Sequence, residues 1–426
     1  MRHSSTTRSL PLILALASLA QLVTLLVVYS IGALAPLLRD ALHLSREQIG
    51  ALTAVVFLGS IPAAVAVGWL ADRLGVRDLL IAVQVVSGLA VTAMPWLHTY
   101  AALLASLSLA GMGQGAVMVL TNKALYDWFP HERRATAMGT KFCAVSLAGF
   151  VAGTAMPTLA LGVGWQQAFA GVGGLILASA LCDVLLYRDP SPAGPSAPLL
   201  PAGPCRHARG LNRSFWYVVM VGFLFAGVQF TFLTYVALFL QDRWALSLPL
   251  AGSLLALAHG GAAASRVPYG WVSDRWLQGE RTPLLQGLGW GALGALLALL
   301  LMPKGAPYLA LAVVIGLFGM SGLGWGGIYN TLTTELAGRG AAGLGSGIAS
   351  ACYQAGSTVT PLLFGAIADR TGSYTGSWGL LVLWLLLGIA VLHGVETAPS
   401  RRAAPASLAP PAPDTPAAAA GPERPL

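Results

Sequence analysis

Residues 68–77 read Gly68-Trp69-Leu70-Ala71-Asp72-Arg73-Leu74-Gly75-Val76-Arg77, a burst of charge and glycine between two long apolar runs. A related unit, Gly270-Trp271-Val272-Ser273-Asp274-Arg275, follows another long apolar run. Sliding the chain along itself by 202 residues lays Gly68 on Gly270, Asp72 on Asp274 and Arg73 on Arg275. Self-similarity at a fixed offset indicates duplication of a structural unit. The unit here is an apolar segment that ends in a charged exit.

The 426 residues are 56% hydrophobic and 9% charged, against about 25% charged in an ordinary soluble domain. That balance excludes a water-soluble protein with a normal surface. Apolar runs of about 18 residues or more, the length that crosses a bilayer as a helix, recur along the chain. The abundance of glycine (51 residues) suits helices that approach closely in lipid. The net charge of +8 sits in particular loops, so membrane topology explains it and nucleic acid does not. Cys143, Cys182, Cys205 and Cys352 have no close spacing, which indicates neither a disulfide framework nor a metal site. Arg2 and Arg8 before the first apolar run give it the charge pattern of a signal peptide. The run is too long for one and reads as the first span.

The runs predict an all-α polytopic membrane protein with twelve spans. Six lie at about 10–38, 47–71, 79–97, 101–126, 136–162 and 165–187. Six more lie at about 215–240, 248–272, 283–302, 306–334, 343–368 and 376–395. The predicted division is an N-terminal segment 1–9, a six-helix bundle 10–187, a linker 188–214, a second bundle 215–395 and a low-complexity Ala/Pro tail 396–426. With an even number of spans both termini share one side. That side collects Arg73 and Arg77, Arg133 and Arg134, the linker arginines, Arg275 and Arg281, whereas the opposite loops hold Arg39, Arg46, Arg243, Lys304 and Arg370. The positive-inside rule places both termini and the linker in the cytoplasm of a cell membrane, the inner membrane in bacteria.

Asp72 and Arg73 lie where the second span leaves the membrane; Gly75 permits a tight turn and Arg77 adds surface charge. A charge at a repeated helix exit suits a contact that forms when this side closes and breaks when it opens. Gly68-x-x-x-Asp72-Arg73-x-Gly75-x-Arg77 resembles the loop 2/3 signature of the major facilitator superfamily, and Gly270 to Arg275 resembles its weaker second copy. Trp128-Phe129-Pro130-His131-Glu132-Arg133-Arg134 with Gly139 is similar to the loop after the fourth helix in organic-anion members. The resemblance covers about residues 10–395. It implies two pseudo-symmetric six-helix bundles and alternating access. It also implies a central cavity lined largely by helices one, four, seven and ten, with contributions from two, five, eight and eleven. Asp72, Arg73, Arg77, Arg133, Asp274 and Arg275 are the candidate gate residues. Gln278, Gly279 and Glu280 depart from the expected glycine-basic pattern in the second copy.

Charge within the spans is the handle on cargo. Arg266 lies six residues before Val272, about 9 Å into the eighth span. Lys141 lies similarly deep in the fifth. Embedded charge is costly and marks a path or a site; snorkelling to the interface is the alternative. A guanidinium stays charged and grips carboxylate with two parallel donors, so Arg266 is the first candidate anion ligand. Arg266-Val267-Pro268 resembles the eighth-helix arginine of monocarboxylate and oxalate/formate carriers. The monocarboxylate carriers place an aspartate one turn earlier, where this chain has Ala262. His259, two turns before Arg266, is the proton-coupling candidate, or else a structural histidine. Tyr29, Tyr235, Tyr329, Asn330 and Gln354 complete the candidate substrate-binding set. The reading is a secondary carrier of a small organic anion, a carboxylate, coupled to protons, working as a monomer in the bilayer and needing no cofactor or metal. Proton-driven efflux of lipophilic compounds is the alternative; it favours an embedded acid in the first or fourth span, and none is visible there. Gly322-Leu323-Gly324-Trp325-Gly326-Gly327 matches a dinucleotide fingerprint only formally, because it lies inside an apolar run without a strand before it. No P-loop and no catalytic constellation points to a pump or an enzyme.

Overall fold

The computed structural model describes residues 3–129, 131–189, 212–337 and 342–395. The backbone of residues 3–9, 72, 131–136 and 342–344 is described without their side chains. The Asp72 and Arg133 side chains, most of the linker and the whole tail 396–426 therefore lie outside the described residues.

The first half is α1 (His3–Leu42), α2 (Arg46–Leu74), α3 (Val76–Thr92), α4 (Tyr100–Trp128), α5 (His131–Val163) and α6 (Trp165–Leu186). The second is α7 (Arg213–Trp244), α8 (Leu248–Arg275), α9 (Thr282–Leu301), α10 (Tyr308–Gly324), α11 (Gly326–Ala337), α12 (Ala342–Thr371) and α13 (Tyr374–His393). Among the described residues ten stretches are long and apolar enough to cross a membrane, α10 and α11 together forming one of them. The shorter α3 and the Gly/Ser/Thr-rich α12 complete twelve spans.

Local chemistry sets the boundaries. Ser45 and Gln48 cap each other's backbone at the start of α2. Thr99 accepts from Ala102 N to start α4, and Asn212 from Phe215 N to start α7. These oxygens satisfy amides that the first turn of a helix leaves unpaired. Gly75, at φ +84°, is the hinge that lets α3 begin at Val76, three residues before the apolar run of the sequence; an L side chain rarely takes that backbone. The tenth span is not continuous. Its Gly-rich stretch has low helix propensity and breaks at Trp325, whose indole Nε1 donates to Gln229 Oε1 on α7 at 3.0 Å.

In the first bundle α2 packs on α4, α1 on α5, and α3 on α4 and α6; in the second α7 packs on α12 and α13, and α10 on α8 and α9. Across the bundles α2 packs on α12, α5 on α8, and α1 on α7. Exchanging the halves maps α2 onto α8 and α5 onto α12, so the first two contacts are one contact repeated about a pseudo-twofold axis. This is the parallel-repeat geometry of a two-bundle carrier. The axial helix α7 is buried along nearly its whole length.

Helices alternate in direction, so His3, Gly75, Arg213 and Arg275 share one end, here called proximal. Arg39, Arg46, Asp242 and Asp369 share the other, distal end.

Candidate functional site

The bundles touch from the distal end to the middle. At the distal end Arg39 Nη1 of α1 meets both Asp242 carboxylate oxygens of α7, at 3.0 and 2.8 Å. Tyr374 Oη of α13 donates to the same carboxylate at 2.7 Å. Asp369 of α12 accepts from the backbone amides of Arg46 and Glu47, at 3.0 and 2.7 Å, which open α2; carboxylates are stabilised at helix N-termini. Arg46 itself lies 4.0 Å from both Asp242 and Asp369 and stacks over the Tyr374 ring. Tyr235 is fully buried beneath them, donating to Arg46 O at 2.5 Å and Pro361 O at 3.0 Å. Its hydroxyl braces the two bundles and is spent on that brace.

Nearer the middle Ser60 of α2 hydrogen-bonds Gln354 of α12. On the matching side, Arg266 Nη1 of α8 donates to Phe142 O of α5 at 3.0 Å. Arg266 is half-buried, and that carbonyl is its one hydrogen-bond partner among the described residues. Its charge reaches Tyr29 on α1, His259 on α8 and Tyr353 on α12. The Tyr29 and His259 rings lie 4.6 Å apart. The Tyr29 and Tyr353 hydroxyls make no hydrogen bond among the described residues and are not sealed from solvent, whereas buried His259 Nε2 has no partner. Aromatic contacts continue from Phe57 to Phe230, Tyr353 and Trp325, at centroid distances of 4.4, 6.0 and 5.9 Å. The result is one fixed cation, two free phenols and an imidazole between apolar rings. That set can hold a small anion with an apolar body.

Gly149 of α5 faces His259 so closely that an added Cβ would overlap the imidazole. Gly149→Ala is expected to displace that ring and cut transport several-fold, since overpacking costs about 1–3 kcal/mol. Initial rates at normalised surface expression check it. An unchanged rate would mean that the ring position does not matter.

At the proximal end the ion pairs among the described residues stay within a bundle. Arg281 binds Glu335 at 2.8 Å and Asp274 at 3.2 Å inside the second, and Lys123 pairs with Asp127 at 3.8 Å inside the first. The molecule is therefore latched distally, with no described ion pair joining the bundles proximally.

Residues 17–361 and 244–420 match the model of the Major Facilitator Superfamily. The chain belongs to the major facilitator superfamily. It is a multi-pass membrane transporter and not an enzyme. It is similar to the "Probable sulfoacetate transporter" of Cupriavidus necator, 23% identical over 81% of this chain and 84% of that protein. Similarity extends to the hexuronate transporter of Bacillus subtilis (25%, covering 80% and 84%) and the 4-hydroxybenzoate transporter of Pseudomonas aeruginosa (28%, covering 58% and 62%). Among solved structures, a bacterial homologue of the human lysosomal transporter Spinster, inward-facing and unoccupied, superposes with a TM-score of 0.73. It is 17% identical and covers 91% of this chain and 94% of its own, which speaks to the superfamily fold alone.

Several residues chosen from the sequence lie apart from Arg266 within that superfamily fold. Lys141 is fully buried and donates to Thr121 Oγ1 at 2.9 Å and Asn122 Oδ1 at 2.5 Å, both on α4. It reaches into its own bundle and does not snorkel. Tyr329 is buried inside the second bundle, donating to Ala349 O at 3.4 Å. Asn330 is exposed on α11, and Gln354 is tied to Ser60. Of the gate candidates, Arg73 stacks on Trp69 of its own helix at 3.8 Å. Arg77 donates to Tyr187 O at 3.0 Å and Val184 O at 2.6 Å, fixing α3 to the end of α6. Asp274, the one nearby acid on α8, pairs with Arg281 and leaves Arg266 without a carboxylate partner among the described residues. Arg275 is exposed.

Sequence reasoning missed Tyr353, Trp325 and the distal latch. Tyr353 directly precedes the sequence candidate Gln354, so one step of helix phase separates them. The latch charges were visible as loop charges, but their pairing joins residues about 200 positions apart in sequence.

Proposed function

We propose that this transporter carries a small organic anion, a carboxylate, in symport with a proton, and alternates its access about Arg266. One observation carries the reading: Arg266 is a permanent charge at the contact between the bundles, with a backbone carbonyl and no carboxylate as its partner among the described residues. Embedded cations need a counter-charge, and a bound carboxylate supplies it. In this reading the Tyr29 and Tyr353 hydroxyls complete the carboxylate's hydrogen bonds, and His259, whose ring lies 4.6 Å from that of Tyr29, is the proton carrier. Sulfoacetate, hexuronate and 4-hydroxybenzoate, named for the relatives, are all organic anions. Lys141, already occupied by Thr121 and Asn122, serves the bundle and not the cargo.

Under this reading the arginine-rich proximal end faces the cytoplasm of a bacterial inner membrane, and the described form is closed to the outside. Asp72 and Arg133, with Arg73, Arg77, Asp274 and Arg275, then act when the cytoplasmic end closes. Export of lipophilic cations is the weaker reading, because it wants an unengaged carboxylate in the middle of the inter-bundle surface. Asp242 and Asp369 lie at the distal end and are held by Arg39 and by the Arg46 and Glu47 amides. The buried Asp183 instead accepts from Gln84 Nε2 at 2.6 Å between α3 and α6.

The test is uptake by proteoliposomes of radiolabelled monocarboxylates, dicarboxylates and hydrophobic cations, side by side, under an inward proton gradient. Accumulation of a carboxylate that collapses when the gradient is dissipated is the expected result. Transport confined to cations would replace this reading with export.

A further inference from the structure

A cavity of about 620 Å³ opens at the distal end above the latch, within the range of small-molecule sites. Its wall carries Arg39, Arg46, Arg243 and Lys304 against a single carboxylate, Asp242. Asp40 and Asp369 approach Arg39 and Arg46 from beyond the wall. Arg243 and Lys304 have no carboxylate partner among the described residues. Arg243 donates to Leu300 O at 3.1 Å and Met302 O at 2.9 Å and stacks on Trp244 at 5.0 Å. Those carbonyls orient its guanidinium without cancelling its charge. Lys304 is exposed and makes no hydrogen bond or ion pair among the described residues. The rest of the wall supplies the aromatic faces of Phe239 and Trp378 and the hydroxyl of Ser373.

We infer that this cavity is a second anion-binding site, distinct from the one at Arg266, that takes a small carboxylate with an apolar or aromatic body. Two uncompensated cations in one concavity with low-dielectric walls raise the local concentration of anions. The same wall includes the latch arginines, so an anion lodged here competes with Asp242 for Arg39 and Arg46. Whatever binds better to the unlatched form shifts the molecule toward it, and unlatching in turn strengthens that binding. The cavity thereby becomes an entry site at which the arriving anion loosens the door. Its role in entry rests on the proposed transport reading; the binding itself does not.

Equilibrium dialysis of the purified full chain with radiolabelled benzoate separates the two. Arg266→Ala removes the deep cation and is expected to retain one saturable benzoate site. Adding Lys304→Glu to it is expected to weaken that site about tenfold, since a favourable charge becomes a repulsive one at the surface; adding Lys304→Arg is expected to leave it intact. Lys304 is exposed and makes no described contact, so these changes spare the fold, and an unchanged thermal transition verifies it. In uptake assays Lys304→Glu alone is expected to raise KM with kcat preserved. Absence of saturable benzoate binding in Arg266→Ala, or binding indifferent to Lys304→Glu, overturns the second site. Failure of uptake with benzoate binding intact would count against the transport reading only.

Discussion

Asp242→Arg is expected to reduce transport to a few per cent of the parent rate and to hold the distal end open. Asp242 receives Arg39 and Tyr374 and lies 4.0 Å from Arg46. Reversing its charge sets three cations together where the bundles must meet. Like charges about 4 Å apart repel by about 4 kcal/mol at an effective dielectric of 20. The pair is about one-quarter exposed on each side, so screening leaves about 1–3 kcal/mol, and the balance between the two access states moves about 10- to 100-fold. Arg39→Asp combined with Asp242→Arg restores the attraction with its polarity exchanged, and is expected to recover a substantial part of the rate. Recovery would exclude general misfolding as the cause. Cysteine labelling from the distal side reads the state directly: high for Asp242→Arg, near parent values for the double variant. Parent-like labelling and transport in the single variant would mean that these charges do not hold the door.

The fold was legible in the sequence because its causes are local. Apolar runs of bilayer length, the repeat of Gly-Trp-x-x-Asp-Arg at an offset of 202 residues and the asymmetry of basic loops are each visible in the chain, and each has one structural consequence. Breaks within spans were less legible. At the division of the tenth span the Trp325 indole is held by Gln229, almost one hundred residues away, a contact that the local sequence does not reveal. The candidate site was legible where a single residue is costly. Arg266 stands out because charge does not belong in a span, and His259 because it shares Arg266's face. Tyrosines carry no such cost, since a phenol is equally at home bracing helices or lining a cavity. Tyr235 and Tyr329 turned out to be braces, whereas Tyr353 lies within reach of the Arg266 charge. Telling them apart required knowing which face of each helix meets the other bundle.

Arg266→Ala is expected to abolish carboxylate transport. Hydrogen bonds to charged groups contribute about 1.5–3 kcal/mol each. Loss of a two-pronged grip on carboxylate therefore weakens binding by at least about 100-fold. Arg266→Lys keeps the charge but not the planar fork and is expected to fall between parent and alanine. Removing the side chain frees only one described bond, to Phe142 O, and that carbonyl belongs to a helix, so folding should survive. Calorimetric titration of the transported carboxylate into purified parent, Arg266→Lys and Arg266→Ala proteins of matched thermal stability reads the role of Arg266 in binding. A deep-site component that saturates in the parent, weakens for lysine and is lost for alanine, leaving only the heat of the distal cavity, is the predicted outcome. Parent-like affinity in Arg266→Ala would contradict it, and would make Arg266 a strut between α8 and α5.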